Sequence, residues 1–183
     1  SEDDMKGLFS DFNVDSMFLG GDVKTRNKNM AKVLLKIRDM NLGEDFLDNK
    51  IDAFGDAYEF LMTMYASGAG KSGGEFFTPQ EVSELLARLA AADGHEIRSV
   101  YDPACGSGSL LLKFSKTIGR DNPNLMYYGQ EINPTTYNLC RINMFLHNIN
   151  YDKFDIQLGD TLVHPQHRQL EPFDAIVSNP PYS

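Results

Sequence analysis

Ile97-Arg98-Ser99-Val100-Tyr101-Asp102-Pro103-Ala104-Cys105-Gly106-Ser107-Gly108-Ser109 is the stretch on which the reading of the fold turns. Ile97–Tyr101 has the β-branched and aromatic content of a strand, and a helix pattern follows from Ser109 to Ile118. Asp102 to Gly108 joins them, with glycines where strand gives way to helix. Glycine there lets the backbone come close to a ligand, and the helix start presents unpaired N–H groups. The third glycine of a dinucleotide fingerprint is missing, because position 111 is leucine. A nucleoside with a tail other than pyrophosphate is therefore favoured, and Asp102 can accept from an ammonium or a water near that tail.

The same alternation continues on both sides. A helix over Pro79–Ala91 precedes the first strand. After the loop helix come a strand at Leu125–Gln130, a helix at Pro134–Asn148, and strands at Phe154–Leu158 and Phe173–Ser178. Such βαβ alternation predicts an α/β fold, a parallel sheet of spatial order 3-2-1-4 with helices on its faces. The connection from Gly159 to Pro172 carries two prolines and reads as irregular or as containing one short helix.

Upstream the pattern is helical only. Met30, Val33, Leu34, Ile37 and Met40 recur at helical spacing within Asn27–Met40, and Ile51, Phe54, Ala57, Tyr58, Leu61 and Tyr65 repeat it. Both read as amphipathic helices packing on each other or on the core. Ala66-Ser67-Gly68-Ala69-Gly70-Lys71-Ser72-Gly73-Gly74 is a Gly/Ser joint, so residues 1–70 are expected to form a helical segment and 71–183 the α/β part. Gly70-Lys71-Ser72 is no phosphate-binding P-loop, since the position of its first glycine is Tyr65.

Hydrophobic content of 42% and charged content of 23% are ordinary for a globular protein. No apolar run reaches the ~18 residues of a membrane span and no basic-then-apolar leader opens the sequence, which makes a cytoplasmic location without membrane contact the expectation. The net charge of −9 argues against a simple nucleic-acid binder, unless a partner or missing segment supplies a basic surface. Cys105 and Cys140 are too few for a disulfide framework or zinc site and read as buried, reduced thiols. His95, His147, His164 and His167 make no metal spacing, the last two reading as part of a solvated loop, and no metal is expected.

The ends of the later strands extend the pocket. A carboxylate at Glu131 can accept both hydroxyls of a ribose. Asp160 can accept from the amino group of the nucleoside base, or cap the turn that follows it. Thr78 and Glu81 are spaced as a capping box, with Pro79 at the first helical position. A cap does not explain Phe76 and Phe77 behind Gly73-Gly74, which suggest a flap over an apolar or aromatic ligand.

Asn179-Pro180-Pro181-Tyr182 closes the last strand, and its two prolines stiffen the loop. The Asn179 amide oxygen and the Pro180 carbonyl can each accept one N–H of a target –NH₂. Drawing those protons aside turns the nitrogen lone pair out of conjugation, toward the tetrahedral form needed for attack. Tyr182 offers a face for a flat substrate. A nucleoside site beside an amine site is what methyl transfer from S-adenosylmethionine to nitrogen requires, and positioning with electrostatics can carry it. Neither cysteine lies in a Pro-Cys pair, so methylation of a ring carbon has no nucleophile here.

Gly-Gly-Glu-Phe-Phe-Thr-Pro from 73, Asp-Pro-Ala-Cys-Gly-Ser-Gly from 102, Gly-Gln-Glu-Ile-Asn from 129 and Asn-Pro-Pro-Tyr from 179 follow in order. Together they resemble the amino-group DNA adenine methyltransferases, above all the modification subunit of type I restriction–modification systems. Gly55-Asp56-Ala57-Tyr58-Glu59-Phe60-Leu61 resembles that subunit's helical segment, so the likeness covers residues from about 50 onward. It implies a Rossmann-like S-adenosylmethionine-dependent methyltransferase core acting on N6 of an adenine flipped out of double-stranded DNA. It implies the cofactor against Glu75, Phe76, Phe77, Thr78, Pro79 and Gln80, against Gly106, Ser107, Gly108 and Ser109, and against Glu131. The flipped adenine is implied against Asn179, Pro180 and Tyr182.

A specificity subunit, a second modification subunit and a restriction nuclease subunit are the implied partners. Family members have a longer helical domain before this region and further strands after the Asn-Pro-Pro-Tyr loop. The chain stops one residue past that motif, so a fragment is expected, with a sheet edge that the intact protein covers. The residues alone leave two other readings open. One is an N-methyltransferase acting on protein glutamine or RNA guanine, the other a non-catalytic fragment that binds cofactor or partner chains.

Overall fold

Asp22 places a carboxylate at the start of the first regular element, α1 (Val23–Arg38), and accepts from the Thr25 N–H at 2.9 Å. With Lys36 and Arg38 in the last turn, both ends suit the helix dipole. The structure, a computed structural model, describes residues 7–8, 13–39, 60–61, 64, 78, 80–119, 122–170 and 172–180. The chain divides into two units, Ser1–Lys50 and Ile51–Ser183. In the first, Asn29 Nδ2 donates to the Leu19 carbonyl at 2.7 Å and ties a 3₁₀ turn (Met17–Leu19) to α1. The helix begins four residues before the expected Asn27, because its start is set by the Asp22 cap and not by the apolar repeat. None of its residues is buried, Val33, Leu34 and Ile37 included. Most of the second helical pattern and the Gly/Ser joint lie outside the described residues.

The second unit holds β1 (Ser99–Asp102), β2 (Met126–Glu131), β3 (Phe154–Leu158) and β4 (Ala175–Ile176), all parallel, in the order β3-β2-β1-β4. Its helices are α2 (Gln80–Ala90), α3 (Ser109–Phe114) and α4 (Pro134–Leu146). Asn133 caps α4 by accepting from the N–H groups of Thr135 and Thr136, with Pro134 at the helix start. α3 is shorter than its sequence pattern because the chain passes into a π-helical turn at Ser115–Gly119.

The core lies between sheet and helices. Val100, Tyr127 and Ile156 meet Leu110, Leu111, Leu112 and Phe114 of α3 and Cys140 and Met144 of α4. Each such large apolar side chain contributes about 1.5–3 kcal/mol through removal from water.

β4 is only two residues long, against an expected Phe173–Ser178. The Asp174 carboxylate stands before it and accepts from the N–H groups of Arg98 and Ser99 at 2.9 Å each, and from Ser99 Oγ at 3.0 Å. The Arg98 N–H first, with the Ser99 contacts, holds this carboxyl below its usual range. Beyond β4 the Val177 N–H donates to the Tyr101 carbonyl at 2.9 Å.

The connection from β3 to β4 contains one 3₁₀ turn (Arg168–Leu170). Gln130, fully buried on β2, donates from Nε2 to the His164 carbonyl at 2.9 Å and accepts at Oε1 from the Gln166 N–H at 3.0 Å. His167 does not sit in a solvated loop as the sequence suggests. It is buried among Tyr101 and Tyr128, both edge-on at 5.4 Å, and donates from Nε2 to the Gly129 carbonyl at 3.0 Å.

Gly108 precedes α3 at φ +82°, and a Cβ there would stand 2.7 Å from Cys140 Sγ. Gly108→Ala should therefore destabilise the unit by about 1–3 kcal/mol, the cost of a strained left-handed residue. Chemical denaturation should show a lower midpoint. Compared with Cys140→Ala alone, the double variant should recover the steric part of the loss but not the backbone part.

Candidate active site

Strand order reverses between β1 and β4. The chain leaves β1 toward β2 and β3 on one side, then returns to β4 on the other. Loops leaving the carboxyl ends of β1 and β4 diverge, and ligands of open parallel sheets bind in that crevice. A cavity of about 530 Å³ occupies it, lined from every strand: Asp102, Gly106 and Ser109 after β1, Glu131 and Ile132 after β2, Asp160 and Leu162 after β3, Ser178, Asn179 and Pro180 after β4. Thr78, just ahead of α2, completes the wall.

Eight of the residues singled out from sequence thus share one cavity: Thr78, Asp102, Gly106, Ser109, Glu131, Asp160, Asn179 and Pro180. Ser107 and Gly108 do not line it. Ser107 is buried and its carbonyl accepts from Asn143 Nδ2 at 3.0 Å, while Gly108 packs against Cys140; both hold the loop from behind. Glu75, Phe76, Phe77, Pro79, Pro181 and Tyr182 lie outside the described residues, and of Gln80 only the backbone is described.

The loop after β1 is pinned to β2. The Cys105 N–H donates to the Gln130 carbonyl and the Gly106 N–H to Glu131 Oε2, both at 3.0 Å. Glu131 Oε1 accepts from the Asn133 N–H at 2.8 Å. Each carboxylate oxygen keeps a further lone pair for a ligand hydroxyl.

Asp102 accepts from the Ala104 N–H at 3.0 Å and is 2% exposed. Burial pushes its carboxyl up to about 7, opposed by that N–H and helped by the neighbouring Glu131 charge. Asp160 serves its own turn through Oδ1, which accepts from the Leu162 N–H at 2.9 Å and the Val163 N–H at 3.3 Å. Its capping and ligand roles are compatible, since among the described residues the turn takes only Oδ1. Cys105 donates to Cys140 Sγ at 4.0 Å, and that contact together with burial raises its thiol well above the usual range. It is a neutral piece of wall and not a nucleophile.

Among the cavity residues that the sequence reading did not single out are two large apolar side chains. Ile132 is 64% exposed and Leu162 96% exposed, each just past an acidic strand-end residue. Their signal was an apolar side chain where the strand has ended and water is expected. Among the described residues no group of three or more His, Cys, Asp or Glu could hold a metal, and no helix is long and apolar enough to cross a membrane.

The family model of N-6 DNA Methylase matches residues 49–183. The chain is 53% identical over its whole length to 35% of the type I restriction enzyme MpnII methylase subunit of Mycoplasma pneumoniae. It is 38% identical, over 76% of its length, to 25% of the type I restriction enzyme MjaVIII methylase subunit of Methanocaldococcus jannaschii. It thus spans a quarter to about a third of the length of these curated relatives. Among solved structures, a type I restriction-modification system methyltransferase subunit from Streptococcus thermophilus superposes with a TM-score of 0.83 at 34% identity, covering 99% of this chain and 38% of that one. A class I S-adenosylmethionine-dependent methyltransferase from Listeria monocytogenes shares the fold, at TM-score 0.64 and 15% identity over 96% of this chain and 49% of its own. The family match takes in every strand and every loop that lines the cavity, and the chain belongs to the N-6 DNA methylase family.

Proposed function

We propose that this chain carries the methyl-transfer site of the modification subunit of a type I restriction–modification system. It would move the methyl group of S-adenosylmethionine to N6 of an adenine in double-stranded DNA. The observation that carries this reading is that Asn179 and Pro180 line the same cavity as Asp102, Glu131 and Asp160. S-adenosylmethionine suits the residues present. The buried Asp102 carboxyl meets its ammonium, Glu131 its ribose hydroxyls, and Asp160 Oδ2 the amino group of its adenine, with Ile132 and Leu162 against the faces of that ring. When bound it supplies a methyl group on a positively charged sulfur.

The chain's own part is to hold and orient. The Asn179 amide oxygen and the Pro180 carbonyl take the two N–H bonds of the target amine, which frees the nitrogen lone pair for attack. Pro181 stiffens that loop and Tyr182 stacks on the flipped base. Glu75, Phe76, Phe77, Pro79 and Gln80 close the cofactor side. A net charge of −9 gives the chain poor attraction for phosphates, so the basic surface that grips DNA belongs to a specificity subunit, with a second modification subunit and a nuclease subunit completing the assembly.

In the full-length enzyme with its partner subunits, Glu131→Ala should weaken cofactor binding by about 1–3 kcal/mol. Asn179→Ala should instead slow single-turnover methylation about 10²–10³-fold with cofactor affinity unchanged. Calorimetry and quench assays on duplex DNA separate the two; equal loss of binding and rate in Asn179→Ala would make that residue structural.

Asp102 gives a pH dependence of definite sign. Its folded carboxyl titrates near 7, above its unfolded value, so its contribution to stability without ligand is full below about 4 and is lost as pH rises through 7. An ammonium prefers the carboxylate, so cofactor affinity should rise with pH through the same interval. Asp102→Asn should flatten that rise; a slope retained in the variant would assign it to another group.

A further inference from the structure

We infer that Thr78 is a positioning residue for the target amine, its hydroxyl selecting which arm of the Asn179 amide meets the incoming nitrogen. The inference rests on the methyl-transfer reading above and adds a role that the cofactor-side segment does not have in it. An asparagine amide has one accepting arm and one donating arm, interchanged by rotation about a soft terminal bond. Only the oxygen can draw a proton of an –NH₂ aside. Turned the other way, Asn179 would set its own –NH₂ against the substrate's, donor against donor.

The backbone at Asn179 and Pro180 fixes where the amide is but not which arm points where. That choice needs an acceptor outside the loop. Asn179 Nδ2 donates to Thr78 Oγ1 at 3.3 Å, across 101 residues of chain. The nitrogen arm is thereby engaged, which leaves Oδ1 as the accepting arm on a residue that shares the cavity wall with Thr78. Thr78 is well placed to act as a fixed reference. It is 8% exposed, its N–H donates to Ser109 Oγ at 3.4 Å, and its carbonyl accepts from Ser83 Oγ at 3.5 Å. The hydroxyl is thus set by α2 on one side and by the start of α3 on the other, and the Asn179 loop registers against both.

The test uses the full-length enzyme with its partner subunits, S-adenosylmethionine, and duplex DNA carrying the target site. Thr78→Val keeps the shape and removes the hydroxyl. It should slow single-turnover methylation about tenfold, the weight of one neutral hydrogen bond in a transition state. Cofactor affinity should fall by much less than the rate, and Thr78→Ser should restore the rate. In an Asn179→Ala background, Thr78→Val should slow the reaction no further, since the arm it orients is gone. Should Thr78→Val fail to fold, Thr78→Ala against Thr78→Ser makes the same comparison. The inference is overturned if Thr78→Val loses cofactor affinity in step with rate, which would make it a cofactor contact. It is overturned too if the slowing persists in the Asn179→Ala background, which would make it structural. A wild-type enzyme without adenine methylation would remove the methyl-transfer reading itself, and this inference with it.

Discussion

Position of every group at the site follows from the reversal of strand order between β1 and β4. Parallel strands put all their carboxyl ends on one edge, so residues distant in sequence gather there without any need for the loops to be long. Asp102 and Glu131 end β1 and β2, and Asp160 and Asn179 follow within three residues of the ends of β3 and β4. The reversal separates the loops after β1 and β4 and makes room between them. β4 is the weak member of that arrangement, with two ladder positions on β1. Its register depends on the Asp174 carboxylate at one end and the Val177 N–H at the other, and the Asn179 loop inherits its place from them.

Three carboxyl groups line one cavity, an arrangement that mutual repulsion opposes. The structure meets it in three ways. Glu131 accepts from two backbone N–H groups of different loops. Asp160 accepts from two N–H groups of the turn it caps. Asp102, enclosed and with one N–H, sheds its charge near neutrality. A cation beside Asp102 would favour its charged form again.

The strands were legible because each carries its own local pattern and is followed by a candidate site residue. β3 coincides with its expected range, and the spatial order 3-2-1-4 is the one observed. What the sequence hides is what lies on the far side of a residue. Ser107 and Gly108 sit in the loop motif yet turn away from the cavity, because Asn143 and Cys140, some 35 residues later, come up behind them. His167 looks solvated beside Pro165 and Gln166, but Tyr101 and Tyr128 close over it from other strands. Gln130 is one polar residue at the end of an apolar run, with nothing local to show that both its arms are taken. Ile132 and Leu162 carry no periodic signal because they stand where periodicity ends.

The attachment of residues 159–170 to β2 has a dynamic consequence. By backbone conformation this is a loop, but its His164 carbonyl, Gln166 N–H and His167 ring are bonded to the sheet interior. Surface connections usually open on their own, at little free energy, as independent units of local unfolding. This one cannot leave without emptying the buried partners of Gln130 and uncovering two tyrosine rings. Its amide protons should therefore exchange on the timescale of the sheet and not of the surface. The acidic residue and the exposed leucine it carries are presented to the cavity by a segment that belongs, thermodynamically, to the core.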